Sequence, residues 1–164
     1  MNIETPRMRQ LVDWRAAIQA GVISGLVFFV LELVLIPLTM GGNSSIVMRY
    51  LASVLLGKGV LPPSDSSGFG AFMAALLMTV VMGVIFSCII AFIIHRGGIL
   101  TGIFGGALLG LALYLINFYT LTLIFPWFYV LTGWMSAFNH IIYGALAGGI
   151  YEGLEVEIFV PVEQ

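Results

Sequence analysis

The chain has 164 residues, 60% of them apolar and only 9% charged, with a net charge of −2 and a mean hydropathy of +1.10. A soluble domain carries roughly a quarter charged residues because its surface faces water, so most of this surface is expected to face lipid hydrocarbon. No Lys/Arg-rich run is present, which excludes an electrostatic footprint for nucleic acid, and the single cysteine, Cys88, can form no intrachain disulfide.

The polar segment Met1 to Arg15 leads into an apolar run with no small-x-small cleavage pattern after it, which reads as a retained first span and not a cleaved signal. Neither end carries a lipid-anchor motif. A span needs about 20 apolar residues, and such segments occur at about 16–40, 69–94, 99–125 and 134–153. Glu32 is the only charge in the first; the second and third hold none. Barrel strands would alternate over about ten residues, and these runs do not. The expected fold is therefore all-α: one domain over 1–164, an integral membrane four-helix bundle.

Between the first two spans, Ser44 to Gly57 is expected to form a short interfacial helix, with Ser44 or Ser45 as N-cap and Gly57 as stop. Its apolar face would hold Ile46, Leu51, Val54 and Leu55, and Pro62-Pro63 would return the chain to the bilayer. His95, Arg96 and Gly97-Gly98 make a tight turn between spans two and three. Pro126-Trp127 ends the third span, with Trp127, Tyr129 and Trp134 as an aromatic belt. Glu152, Glu155, Glu157 and Glu163 form a solvated acidic tail. Arg7, Arg9, Arg15 and Arg96 fall on one side, Arg49 and Lys58 on the other, so the positive-inside rule places both termini in the cytoplasm.

An internal repeat is visible when Gly21-Val-Ile-Ser-Gly25 is laid over Gly106-Ala-Leu-Leu-Gly110, which brings Glu32 onto Asn117. Thr79-Val-Val-Met-Gly83 then falls on His140-Ile-Ile-Tyr-Gly144, and Ser87 on Gly148. The offsets differ by about the length of the extra helix and its Pro-Pro link. Two repeated helical hairpins, the first with an insertion, are expected. Small residues four apart (Gly21/Gly25, Thr79/Gly83/Ser87, Gly98/Gly102/Gly106/Gly110 and Gly144/Gly148) give every span a face on which backbones approach closely in lipid.

Glu32, Asn117 and His140 all fall roughly 9 to 14 Å below the outer boundary at 1.5 Å per residue. Each lies on or near its helix's small-residue face, and Tyr114, Tyr119, Asn139 and Tyr143 could join them. Ionisable groups in hydrocarbon are costly, so they mark a candidate site. Two readings stand. A Glu32–His140 pair oriented by Asn117 could relay protons or cations, or bind a quinone or lipid head group. Alternatively the cluster is a hydrogen-bonded clamp between spans one, three and four, and the Gly, Ala, Leu and Ile of the inner halves offer a relay no onward path. One His, one Glu and an Asn without HxxxH or CxxC spacing are too few for a metal site. His95 beside Arg96 reads as interfacial, Ser87-Cys88 has neither base nor elbow motif, and the glycines of span three are no phosphate loop. No cofactor and no catalytic residue are expected.

Leu113-Tyr-Leu-Ile-Asn-Phe-Tyr119, Phe125-Pro-Trp-Phe128 and Asn139-His140 with Gly144 resemble the YagU-like group of small bacterial inner-membrane proteins, as does Arg49 with Leu51-Ala52 to Gly57. The resemblance implies four spans in a bacterial cytoplasmic membrane and supplies no activity. Members can carry a His in the second span, whereas Met73 to Met82 holds none here. The functional expectation is a non-enzymatic accessory or scaffold subunit, with membrane lipids and other subunits or a second copy as partners. A small channel or transporter using the Glu/His/Asn cluster is the alternative.

Overall fold

The structure is a computed structural model, and it describes residues 8–64 and 68–161, so Arg7 and Glu163 lie outside the described residues. Among the described residues, five α-helices and a pair of short strands follow in the order β1 (Met8–Leu11), α1 (Trp14–Met40), α2 (Ser44–Leu56), α3 (Gly68–Ile94), α4 (Gly98–Ile124), α5 (Trp134–Leu154) and β2 (Ile158–Pro161), with 3₁₀ turns at Lys58–Val60 and Pro126–Leu131. Among the described residues, α1, α3 and α4 are long and apolar enough to cross a membrane. The fourth expected segment, α5, has 21 residues but carries Asn139, His140 and Glu152, and its composition falls short of that standard. All four expected boundaries lie within a few residues of those observed.

Asp13 starts α1: its carboxylate accepts from the backbone N–H of Arg15 and Ala16, both at 3.0 Å, supplying partners for two of the donors every helix N-terminus leaves free. Helix α1 continues through Pro37 and ends at Gly41, whose φ of +68° is a left-handed stop. A proline at position 37 has no N–H for the carbonyl of Leu33, four residues earlier. The Ser44 hydroxyl donates to that carbonyl at 2.7 Å. Ser44 is therefore a partner for the proline-broken turn and not the N-cap of α2. Asn43 is the cap, accepting from the Ser45 N–H at 2.8 Å.

Helix α5 lies centrally, against α4, α1 and α3, while α1 also packs along α3. The contacts inside both pairs are made backbone to backbone. A Cβ on Gly144 would stand 2.8 Å from the Gly110 Cα and would collide with the Gly106 carbonyl oxygen. A Cβ on Gly106, Gly110 or Gly148 would meet the carbonyl of Gly144, His140 or Gly102 in the same way. Between α1 and α3, a Cβ on Gly21 would stand 2.6 Å from the Val84 Cα, and one on Gly83 would stand 3.0 Å from the Gly25 Cα. Without water to exclude, such close approach recovers association energy through dispersion. Gly98 stands apart from this seam: it is exposed, with φ +71° at the head of α4.

Two apolar clusters lie at the ends of the bundle. One, at the loop end, joins Phe29, Ile36, Val47, Leu51, Ala75, Phe128 and Leu131. The other, at the terminal end, joins Ala17, Ala20, Ile90, Leu113, Ala147 and Tyr151. Helix α2 lies along α3 and α1, burying Val47, Met48, Leu51, Ala52 and Ser53. The buried face is thus rotated from the expected one, since Ile46 and Leu55 are exposed. Trp127 is also turned inward: its indole donates to Ser53 Oγ at 2.8 Å, so of the three expected belt residues Tyr129 and Trp134 are the exposed ones.

The two terminal segments are not simply solvated. Met8–Leu11 and Ile158–Pro161 pair antiparallel, Met8 opposite Pro161 and Leu11 opposite Ile158. Asp13 extends the junction by accepting from the Val156 N–H at 3.2 Å, and Gln10 donates to Glu155. Both ends of the described chain therefore meet at the same end of the bundle.

Candidate functional site

Between the two apolar clusters lies a polar layer built from α1, α3, α4 and α5. Glu32 is 3% exposed and Asn139 fully buried, and the Asn139 amide donates to Glu32 Oε1 at 2.9 Å. The expected Glu32–His140 pairing is replaced by this one. Neighbouring positions on a helix point about 100° apart, and the rotation of α5 presents Asn139 to α1 and His140 toward α4.

His140 Nδ1 lies 2.7 Å from the Ser136 carbonyl, one turn earlier on α5. A carbonyl only accepts, so the proton sits on Nδ1, and Nε2 is left to accept from the Asn117 amide at 3.4 Å. The ring is boxed by aromatics, with Phe28 edge-on at 4.8 Å and Tyr114 at 5.6 Å between centroids. Tyr114 does a second job, its hydroxyl accepting from the Gly133 N–H at 3.1 Å at the start of α5. Tyr143 reaches the other way and donates to the Gly83 carbonyl at 2.6 Å, tying α5 to α3. Tyr119 does not join the layer; its side chain is 77% exposed.

A cavity of about 270 Å³ opens beside this layer. Its polar lining comes from Glu32, Thr79, Asn117, Thr120, His140 and Tyr143, and the rest is chiefly Phe, Leu, Ile and Met. Thr79, read from sequence only as a small packing residue, is 6% exposed, and its Oγ1 has no hydrogen-bond partner among the described residues. The same holds for the second amide atom of Asn139, Oδ1. Threonine in a helix usually satisfies its hydroxyl on its own backbone one turn back, as Thr39 does on the Leu35 carbonyl at 3.0 Å. That habit hides the exception at Thr79 from any reading of sequence.

The layer's chemistry is hydrogen bonding. Ser87, a candidate nucleophile by residue type, donates to the Ala17 carbonyl at 2.8 Å and so acts as a strut between α3 and α1. Cys88 is free and half-buried. Among the described residues no group of three His, Cys, Asp or Glu is placed to hold a metal ion. His95 lies outside the layer, its Nδ1 on the Phe92 carbonyl at 2.9 Å and its Nε2 accepting from Arg96 at 3.2 Å.

Compared with known proteins, the chain matches no family model, no curated protein and no solved structure.

Proposed function

We propose that this chain is a non-enzymatic, non-conducting membrane protein that serves as an accessory or scaffold subunit. The observation that carries the reading is the pair of glycine seams. On the terminal side of the polar layer, Gly102, Gly106, Gly144 and Gly148 bring backbone against backbone, as do Gly21 and Gly83 between α1 and α3. A relay from Glu32 or His140 toward that side would have to cross packed main chain and the alanines of the terminal cluster. Such a layer fits a clamp better than a conduit.

In this reading α5 is the fourth span, its polar residues turned into the bundle. The basic residues Arg9, Arg15 and Arg96 on the terminal side, with Arg7 of the sequence, support the reading that both termini face the cytoplasm, and a bacterial inner membrane belongs to the same proposal. Helix α2 lies at the opposite interface. The YagU-like resemblance belongs to the same proposal. So does descent from two related hairpins, which is supported by contact equivalence: Gly21 meets Gly83 and Ser87, while Gly106, its counterpart, meets Gly144 and Gly148.

Helix α4 offers the surface for a partner. Phe104 and Leu108 are 72% and 70% exposed, and α4 is the least enclosed of the three long apolar helices. Cysteine placed at Phe104 or Leu108, in a Cys88→Ala background, should cross-link in native membranes to a second subunit or a second copy. A chain that remains an uncrosslinked monomer from both positions, with Leu77 as a reference on α3, would remove this support. One observation favours the alternative of a small channel or transporter: Glu32, Asn117 and His140 all line the cavity. Ion flux separates the two readings.

A further inference from the structure

Helices α3 and α4 follow one another through a tight turn and yet hardly touch. Each packs on other helices instead, α3 on α1 and α2, and α4 on α5. The cavity of about 270 Å³ lies in the gap. Its lining runs from Leu51 and Val54 of α2 and Phe128 and Leu131 of the loop, at one end, to Phe86 of α3 and Leu113 of α4 at the other. On α3 it covers Met78 to Phe86 and on α4 Leu113 to Leu121, which is about 12 Å along each helix at 1.5 Å per residue. The space is therefore a slot parallel to the helices. Its far end is made by Phe28, Phe86, Leu113 and Tyr143, all part of the terminal-end apolar cluster.

The surface that the slot offers is apolar. Glu32 is held by Asn139, His140 by the Ser136 carbonyl and Asn117, and Tyr143 by the Gly83 carbonyl. The Thr79 hydroxyl is buried out of contact with the space. An empty apolar slot leaves its walls without contact partners, and water gains little where polar partners are missing. A membrane helix, about 10 Å across with its side chains, is too wide for 270 Å³ over this length. Both α3 and α4 are apolar enough to cross a membrane. Met82 on α3 and Ile116 on α4 line the slot and are also 41% and 56% exposed, so they form its rim. What meets that rim in a bilayer is hydrocarbon chain, which is narrow, flexible and runs in the same direction as the helices.

We infer that the slot is a binding site for one acyl chain of a membrane lipid, seated between α3 and α4 with its methyl end against Phe86 and Leu113 and its carboxyl end beside α2. The chain completes the packing that α3 and α4 do not make with each other. The site is independent of the accessory role, since a subunit with no partner could still hold the lipid; it shares with that role only the placement of α3 and α4 in the bilayer.

The test is photolabelling of the full chain in nanodiscs of palmitoyl-oleoyl phosphatidylcholine. A trace of phosphatidylcholine carries a diazirine in one acyl chain, near the carboxyl end in one probe and near the methyl end in the other. Leu51 and Leu113 line the slot and are only 6% and 8% exposed, so lipid on the outer surface does not reach them. The carboxyl-end probe should label Leu51 and the methyl-end probe Leu113, while Leu108 on the outer face of α4 reports ordinary surface lipid. Met82→Trp and Ile116→Trp, each at the rim, should abolish labelling of both buried leucines and leave that of Leu108 unchanged. The inference is overturned if neither buried leucine is labelled while Leu108 is, if the two probes label them in the reverse order, or if both variants, folded, are labelled like the parent. Loss of the buried labels on adding decylubiquinone equimolar with the probe would assign the slot to a ring and overturn the acyl assignment as well.

Discussion

Asn139 on α5 donates its amide to Glu32 Oε1 on α1 at 2.9 Å, and both side chains are buried at the centre of the bundle. Residues 107 positions apart in sequence are joined there by one polar bond. Glu32→Gln keeps an oxygen in place of Oε1, so it should preserve the bond and cost less than about 1 kcal/mol. Glu32→Ala leaves the Asn139 amide with no partner for either polar atom and should cost about 2 to 3 kcal/mol. Thermal unfolding of the two variants in the same detergent checks the difference; equal losses would show that the bond carries no weight.

The glycine seams predict a graded series. Alanine at Gly106, Gly144 or Gly148 would press a methyl group into backbone carbonyls that cannot rotate away, and should cost about 1 to 3 kcal/mol or more. Gly25→Ala meets the Val80 Cα at 3.4 Å, close to ordinary contact, and should be milder. Gly153→Ala meets nothing within 4 Å and should be neutral or slightly stabilising. Melting temperatures in that order support the seam, and a flat series would remove it.

Pro37 and Ser44 should behave as one unit. Ser44→Ala leaves the Leu33 carbonyl without the hydroxyl it receives at 2.7 Å and should cost about 1 kcal/mol. Pro37→Ala restores an N–H at position 37, which can bond the Leu33 carbonyl along the helix. In that background Ser44→Ala should cost much less. A double-mutant cycle measures the coupling, and strict additivity would refute the link.

Three backbone N–H groups, those of Ala16 foremost, then Val156 and Arg15, hold the Asp13 carboxyl below its ordinary value of 3.8. A carboxylate whose pKa is lowered on folding contributes stability that is present above the unfolded value and lost as pH falls through the folded one. Amide exchange at Ala16 and Val156 should therefore stay slow from neutral pH down to about pH 4 and, once corrected for intrinsic exchange, lose protection only below it. Asp13→Ala should lose that protection at every pH and weaken the start of α1 by about 1 kcal/mol. Protection that tracks pH identically in both proteins would exclude Asp13 as the cause.

Much of this architecture is legible in the sequence, because lipid imposes simple rules. Apolar length locates α1, α3 and α4, and a four-residue recurrence of glycines marks the faces on which α4 meets α5 and α1 meets α3. Counting residues along each span also brings Glu32, Asn117 and His140 to one depth. Which of them bond is another matter. Asn139 and His140 are adjacent in sequence, and only the rotation of α5, set by the glycine seams, decides that Asn139 takes Glu32. The bond from Ser44 to Leu33 depends on how the loop folds back. Strands of four residues, such as Met8–Leu11 and Ile158–Pro161, are too short to show alternation. Thr79 looks like one more small residue until its surroundings are known.

On the proposed reading, the polar layer clamps the bundle and conducts nothing. That reading is tested most directly by proton and potassium flux into liposomes that carry the purified protein, with a pH gradient and a membrane potential imposed. Flux no greater than in protein-free liposomes is expected for the parent chain and for Glu32→Gln and His140→Ala alike. Protein-dependent flux that disappears in a folded Glu32→Gln or His140→Ala variant would contradict it.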